Sequence, residues 1–224
     1  MKEQLVYIDK WKSNIHLIYN FLDKIDLEKA IEYLDQIQIT NPKKTNTLGK
    51  ANNRHLLNES QRKFFNDIEM KYETFMKKAL QKVAPNKVHI ATKLNCALAV
   101  LPANCSYPAH CDGLIKVLSG VIYIGEVKNL GTFVLDSKND PNPQEIEWEN
   151  NKMFLFSRKH NISWHNYKSN NNIRYSMILN LVTEEKFKHL RSEIGFLRAA
   201  YFYFCEYTKN FFIRFRNRLF NINK

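Results

Sequence analysis

The sequence predicts an α+β protein with a β-sandwich or barrel between two helical regions. Three observations support this prediction. Residues 1–85 mainly favour helices, residues 88–182 hold short β-prone runs separated by Gly, Asn, Pro and Asp, and residues 184–224 return to helical periodicity. Because no helix-length amphipathic segment interrupts the middle region, a jelly-roll arrangement is favoured over a doubly wound α/β fold. A chain of 224 residues can bury one substantial core, so we expect a single domain.

The clearest predicted helix covers residues 58–83. Asn58 is expected to cap its first turn with Gln61 bonding back to the cap, and apolar side chains recur along one face until Pro85 ends the segment. A weaker helical pattern covers residues 17–39. The polar stretch NPKKTNTLGKANNR between the two predicts a loop.

Seven strands are predicted in the middle region from β-prone runs bounded by turn residues. They cover residues 88–101, 115–124, 132–135, 145–148, 153–156, 162–165 and 173–182. Short strands at such close spacing are typical of antiparallel sheets that pack face to face or close into a barrel.

The C-terminal region combines an aromatic helical face with positive charge. From residue 186 onward there are nine Lys and Arg and two Glu, so 9 − 2 = +7 of the formal +12 lies there. Three interpretations stay open: a helix packed on the barrel or on a second subunit, a peripheral membrane contact through residues 209–224, and nucleic-acid binding through FFIRFRNRLF. Nucleic acid is the least favoured of the three.

Composition also bears on the compartment. The four cysteines form no CxxC pair, which indicates reduced thiols, and no apolar run reaches the roughly 18 residues of a membrane-spanning helix. The first residues, MKEQLVYIDKWK, lack the apolar stretch of a signal peptide. We therefore expect a cytoplasmic protein, peripheral to a membrane if the C-terminal region binds one.

The stretch YPAHCDG at residues 107–113 places a histidine and an aspartate two positions apart. In an extended segment residues i and i+2 point to the same side, so His110 and Asp112 can share one ion. The third ligand is expected from a later strand: His165 ends a predicted strand, whereas His160, the alternative, lies in a predicted loop. Two histidines and one carboxylate leave open positions on an octahedral ion, as in non-haem Fe(II) oxygenases.

Arg174 opens the predicted strand RYSMILNLV, whose alternation puts Arg174, Ser176 and Asn180 on one side. A buried guanidinium without an anion is strongly disfavoured, and arginine binds carboxylates through two parallel hydrogen bonds. We therefore expect Arg174 to bind a carboxylate inside the barrel.

These residues resemble the Fe(II)- and 2-oxoglutarate-dependent oxygenases, in particular the prolyl-hydroxylase-like branch. The stretch YPAHCDGLIKVLSGVIYIG is similar to the Tyr-x-x-His-x-Asp motif and the following Tyr-containing strand of that branch. The resemblance covers roughly residues 90–182. It implies a double-stranded β-helix (jelly-roll, cupin-like) core with N-terminal helices and a C-terminal helix around it. The implied iron ligands are His110, Asp112 and His165.

The same resemblance implies the cosubstrate site. Arg174 would hold the distal carboxylate of 2-oxoglutarate, Tyr123 would donate to the same group, and Ser176 completes an Arg-x-Ser pattern. Tyr107 is a candidate for the substrate pocket. No catalytic residue is expected beyond the metal centre itself.

The implied reaction uses O2 and 2-oxoglutarate to hydroxylate a C–H bond, with release of succinate and CO2. Asp112 favours hydroxylation, since halogenases of this family leave that metal position to a halide. The positive charge predicts an acidic substrate of small-molecule or glycan type. Two alternatives from other classes stay open: a metal-binding barrel module without turnover, and a basic membrane or nucleic-acid adaptor acting through its C-terminal helix.

Overall fold

The structure, a computed structural model, describes residues 2–40, 45–205 and 208. In these residues the chain forms eleven strands, three helices and a further helical segment over residues 196–205. The strands are β1 (Lys2–Ile8), β2 (Ser13–Tyr19), β3 (Asn46–Leu48), β4 (Lys93–Leu101), β5 (Ser106–His110), β6 (Lys116–Ile124), β7 (Thr132–Leu135), β8 (Gln144–Ile146), β9 (Met153–Ser157), β10 (Trp164–Lys168) and β11 (Arg174–Val182). The helices are α1 (Lys24–Thr40), α2 (Glu59–Val83) and α3 (Lys186–Ile194).

The strands form two antiparallel sheets. The large sheet has the order β1-β2-β9-β6-β11-β4-β3, and the small sheet has the order β5-β10-β7-β8. Helices α1 and α2 pack on the large sheet through β4 and β11. The predicted combination of helices with antiparallel sheets is therefore confirmed.

Helix α2 has the ends that the sequence predicts. The Asn58 side chain accepts a hydrogen bond from the Gln61 backbone at 2.8 Å, and the Gln61 side chain accepts one from the Asn58 backbone at 3.2 Å. These bonds satisfy two of the N–H groups that a helix start leaves free. Each large apolar side chain that α2 buries against the sheet stabilises the fold by roughly 2 kcal/mol. The buried residues are Phe64, Phe65, Ile68, Tyr72, Met76, Ala79 and Leu80.

Strand β11 has one side in the core and the other in a cavity. Facing the helices in the main core are Met177, Leu179 and Leu181. Lining the cavity on the opposite side are Arg174, Ser176, Ile178, Asn180 and Val182. The period-two alternation of the sequence thus separates packing residues from candidate site residues on one strand.

The prediction that residues 1–85 are mainly helical is wrong for residues 2–19. These residues form an antiparallel hairpin of β1 and β2, and α1 begins only at Lys24. Strand β1 is an edge strand with most positions exposed, so it lacks the alternation that identifies a half-buried strand. A 3₁₀ turn joins the two strands and buries Trp11 completely.

The prediction of one continuous C-terminal helix is also wrong within the described residues. Helix α3 ends at Ile194, and Gly195 has φ of +81°, a conformation that glycine adopts without steric cost. The chain is helical again over residues 196–205. Residues 209–224, for which a membrane contact is predicted, lie outside the described residues. In the part of the chain that is described, no helix is long and apolar enough to cross a membrane.

Candidate metal centre

Two histidines meet where β5 and β10 pair in the small sheet. His165 on β10 lies directly opposite His110 on β5 in the antiparallel register, and their ring centroids are 4.4 Å apart. Directly opposite residues of two strands point to the same face of the sheet. The register of one strand pair therefore brings together two side chains that are 55 positions apart in the sequence.

Asp112 follows β5 by two residues and is buried beside the histidines. Its Oδ1 accepts a hydrogen bond from the Lys116 ammonium, and its Oδ2 accepts one from the Ser119 hydroxyl at 2.5 Å. The Arg158 guanidinium donates to the backbone carbonyl of Asp112 at 2.7 Å. Both the carboxylate and the main chain at Asp112 are thus held in place.

Each histidine of the pair has one ring nitrogen bonded to a backbone carbonyl. Nδ1 of His110 lies 3.0 Å from the Pro108 carbonyl oxygen, and Nδ1 of His165 lies 3.0 Å from that of Ser163. A carbonyl only accepts, so both Nδ1 atoms carry the proton and both Nε2 atoms keep a lone pair. This arrangement, common for histidines that bind metals, fixes the tautomer and the direction of the ring.

The protonation states also suit a cation. Burial lowers the pKa of His165 to about 4, so the ring is neutral near pH 7. Burial alone raises the pKa of Asp112, but the charges of Lys116 and His165 and the hydrogen bonds from Lys116 and Ser119 together outweigh this and hold that pKa well below its usual range. One ligand atom each from His110, Asp112 and His165 lies within 4.8 Å of the others. Two imidazoles and a carboxylate at this separation fit a divalent metal ion.

His160, the alternative distal ligand, lies elsewhere. Its Nδ1 is 3.2 Å from the Arg158 guanidinium, and its ring packs on Phe202. It is not among the residues that line the cavity beside His110.

The metal centre opens onto a cavity of about 510 Å³ between residues of both sheets. Of the seven site residues predicted from the sequence, six line it: His110, Asp112, His165, Arg174, Ser176 and Tyr107. The structure therefore brings the predicted metal ligands and the predicted carboxylate-binding arginine to one space.

Arg174 is buried in this cavity. Its guanidinium donates to the Leu130 carbonyl at 3.2 Å and to the Thr132 hydroxyl at 3.5 Å. It also lies 4.8 Å from the ring centroid of Tyr167 and 5.4 Å from that of Tyr123. No acidic residue in the described part of the chain forms an ion pair with it. Burial lowers the pKa of Arg174, and an anion in the cavity would supply the missing charge.

Tyr123 does not line the cavity. Its hydroxyl donates to the Thr132 hydroxyl at 3.0 Å, and its ring stacks on Trp148 at 4.9 Å. The ring nevertheless supports the guanidinium of Arg174. Tyr107 stacks on Tyr167 at 4.8 Å and meets the ring of His110 edge-on at 5.0 Å.

Four residues of the site were not predicted from the sequence. Tyr167 and Thr132 surround the Arg174 guanidinium, whereas Lys116 and Ser119 bond the carboxylate of Asp112. Tyr167 had a usable signal, because it is two residues after His165 on the same strand and shares its face. Thr132 depends on strand pairing, and Lys116 and Ser119 depend on the turn after Asp112; one sequence reveals neither.

No family model and no curated protein matches the chain. Among solved structures, it is similar to a Pseudomonas putida prolyl-4-hydroxylase, with a TM-score of 0.54 and 11% identity over 76% of this chain and 92% of that chain. It is also similar to the viral collagen prolyl hydroxylase of Paramecium Bursaria Chlorella virus-1 in its 2OG complex. The TM-score is 0.51, with 12% identity over 75% of this chain and 96% of that chain. This chain has the fold of the prolyl hydroxylases. NgTET1 in complex with 5mC DNA is similar as well, with a TM-score of 0.53 and 16% identity over 78% of this chain and 74% of that chain.

The likeness to the prolyl-hydroxylase fold confirms the predicted resemblance at the level of architecture. Because the sequence identities are only 11 to 16%, these similarities show the fold alone. The chemistry of the site depends on the residues described above.

Proposed function

We propose that the chain is an Fe(II)- and 2-oxoglutarate-dependent dioxygenase that hydroxylates a C–H bond. One observation carries the proposal: His110, Asp112 and His165 converge on a cavity that also holds Arg174, which is buried and pairs with no acid among the described residues. Bound Fe(II) with 2-oxoglutarate and O2 would supply an oxidant for C–H bonds and release succinate and CO2. The prolyl-hydroxylase fold supports the same conclusion.

In this proposal the chain holds the metal with two imidazoles and one carboxylate. His110 and His165 would bind through Nε2, because both Nδ1 atoms donate to backbone carbonyls. Trp11 and Phe156 surround His165, at ring-centroid distances of 6.3 and 4.9 Å, and exclude water from that side. Rigid ligands in an apolar surround favour a defined coordination geometry.

Arg174 would bind the distal carboxylate of 2-oxoglutarate. Thr132 and Tyr167 would complete this subsite, with Ser176 nearby on the same face of β11. Tyr123 would position both Arg174 and Thr132, because its ring lies against the guanidinium and its hydroxyl bonds to Thr132. The cavity thus offers a cation for a dicarboxylate at a place separate from the metal ligands.

The proposed substrate is an acidic small molecule or glycan. Lys50 lines the cavity, and the Oδ1 atom of Asn180 is buried there without a hydrogen-bond partner in the described structure. A buried acceptor without a partner is costly, so a ligand that donates an N–H or O–H to it would bind favourably. Tyr107 lines the same space and would contact the substrate.

We also propose a double-stranded β-helix architecture and a cytoplasmic location for the protein. We infer that the two sheets form the double-stranded β-helix of one domain spanning residues 1–224, which a cavity lined from both sheets supports. The four cysteines are free, as in a reducing cytoplasm.

An anaerobic titration tests the proposal. Fe(II) and 2-oxoglutarate added to the metal-free protein are expected to give a weak visible charge-transfer band that neither gives alone. With O2, a screen of acidic small molecules should find one that stimulates succinate formation and gains one oxygen atom by mass. Iron binding that is indifferent to 2-oxoglutarate would instead indicate a metal-binding module without turnover.

A further inference from the structure

The helical segment of residues 196–205 carries an apolar stripe that no described residue covers. Leu197, Tyr201 and Phe204 follow one another at spacings of four and three, so they lie on one side of the helix. Their exposed fractions are 81%, 72% and 65%. These three residues are called the C-terminal stripe below.

The orientation of the stripe is set by packing on the other side of the helix. Ala199 is completely buried there, and the ring of Phe202 packs edge-on against His160 at 5.4 Å. Tyr203 packs edge-on against Phe187 of α3 at 5.3 Å. With one side of the helix fixed on the protein, the stripe faces outward. Adjacent exposed apolar side chains of this size mark an interaction surface.

The chain around the stripe carries a net positive charge. Glu193 is the acidic residue of the range 186–205, and it is buried in ion pairs with Lys87 and Arg158. The cations of the same range are Lys186, Lys188, Arg191 and Arg198. In sequence, residues 206–224 add five Lys and Arg and one acid, Glu206. The occupant of this surface must therefore combine an apolar layer with negative charge.

We propose that the C-terminal stripe docks on the surface of an anionic lipid bilayer. Leu197, Tyr201 and Phe204 would enter the interface between head groups and acyl chains, while neighbouring Lys and Arg meet lipid phosphates. A second copy of the chain would bring an equally basic surface to a symmetric contact, which like charges oppose. A nucleic-acid backbone would satisfy the charge but leave Leu197 and Phe204 without an apolar partner.

Vesicle sedimentation with the full chain tests this inference. Wild type should sediment with vesicles of phosphatidylcholine mixed with phosphatidylglycerol, and much less with phosphatidylcholine alone. The triple variant L197S/Y201S/F204S should partition at least about tenfold more weakly, because three inserted side chains are lost. The matched control is I25S/M70S/V127S, which removes three apolar side chains exposed elsewhere and should bind like wild type. Thermal unfolding of both variants checks that they are folded.

Several results would overturn the inference. One is a wild type that does not bind the anionic vesicles, and another is equal binding by wild type and the stripe variant. A loss as large in the control variant would show that exposed apolar residues act without regard to position. A concentration-dependent dimer that the stripe substitutions dissociate, without vesicle binding, would assign the surface to a second copy. Neither metal nor 2-oxoglutarate enters these measurements, so they stand apart from the proposed enzyme activity.

Discussion

The two ends of the cavity differ in how their charges are balanced. At the metal centre, the carboxylate of Asp112 already has Lys116 and Ser119 as partners. At the other end, Arg174 is surrounded by aromatic rings and two neutral oxygen atoms, and no carboxylate of the described residues pairs with it. One end is thus compensated in the protein itself, whereas the other depends on a ligand for its counter-charge.

This difference has an energetic consequence. Each aromatic face offsets the cost of a buried cation by about 2 kcal/mol, and the penalty for leaving such a charge unpaired is several kcal/mol. A dicarboxylate at Arg174 would therefore stabilise the fold as well as bind. At the metal centre, an arriving ion must instead compete with Lys116 for Asp112. The following predictions test this contrast, beginning with the largest expected effect.

Removal of a metal ligand should have the largest effect. His165→Ala is expected to weaken Fe(II) binding by on the order of 1000-fold, since one of three ligands contributes several kcal/mol to the binding of a divalent ion. The anaerobic charge-transfer band should disappear with it. His160→Ala is the matched control, because this histidine lies outside the cavity. Equal losses in the two variants would contradict the assignment of His165.

Substitution of the unpaired arginine should affect 2-oxoglutarate and spare the metal. Arg174→Met is expected to weaken 2-oxoglutarate binding about 100-fold, because two charge-assisted hydrogen bonds of about 1.5 kcal/mol each are lost. Calorimetric titration of the metal-loaded protein measures the change. In the ligand-free protein the same variant should unfold at an equal or higher temperature, because an unpaired buried charge is removed. A large fall in stability would mean that Arg174 is already compensated without a ligand.

Loss of the hydroxyl that bonds Asp112 should have a smaller effect. Ser119→Ala is expected to weaken metal binding about tenfold, as is usual when a group that orients a metal ligand is removed. Ser157→Ala is a matched control, since that buried hydroxyl bonds to the Val117 carbonyl instead. Metal titrations of both variants separate the specific effect from a general one. Identical metal affinities of the Ser119→Ala and Ser157→Ala variants would show that Ser119 does not hold the carboxylate of Asp112.

Two strands that line the cavity, β7 and β11, were the most predictable part of the fold. The predicted strand 132–135 has the same bounds as β7, and the predicted strand 173–182 differs from β11 by one residue. Both are central strands with strict patterns, so the sequence alone defines them. Edge strands β3 and β5 were missed because they are short and lack a buried side. In the hairpin of residues 2–19, β1 was missed because most of its positions are exposed, whereas β2 has buried residues without strict alternation.

The candidate site was predictable where chemistry is local and unpredictable where it depends on pairing. His110 and Asp112 lie two residues apart, so strand geometry alone places them together. His165 was identified from its setting and from a resemblance, and the β5–β10 register explains why it meets His110. Thr132 reaches the site through the pairing of strands, which no pattern in the sequence encodes, and the turn that brings Lys116 to Asp112 four residues earlier has no distinctive sequence pattern.

The smallest predicted effect has the opposite sign. The Lys116 ammonium bonds Asp112 Oδ1 and stands beside the position of a divalent cation. Lys116→Met should therefore tighten metal binding by about fivefold, because repulsion between like charges is removed in a partly screened site. The gain should shrink in high salt. Lys63→Met is the control, since it removes a lysine paired with an aspartate four residues away on the surface of α2.

The same substitution separates two roles of Lys116. If the ammonium chiefly neutralises a buried carboxylate, the metal-free variant should lose about 2 kcal/mol of unfolding free energy while the metal-loaded variant loses much less. If Lys116 chiefly orients Asp112 for the ion, the substitution should weaken metal binding. The difference in unfolding free energy between the metal-loaded and the metal-free variant should then be smaller than in wild type. Chemical denaturation with and without Fe(II) distinguishes these outcomes. Tighter binding together with a less stable metal-free state would show that one end of the cavity compensates its charge from within, at the expense of metal affinity.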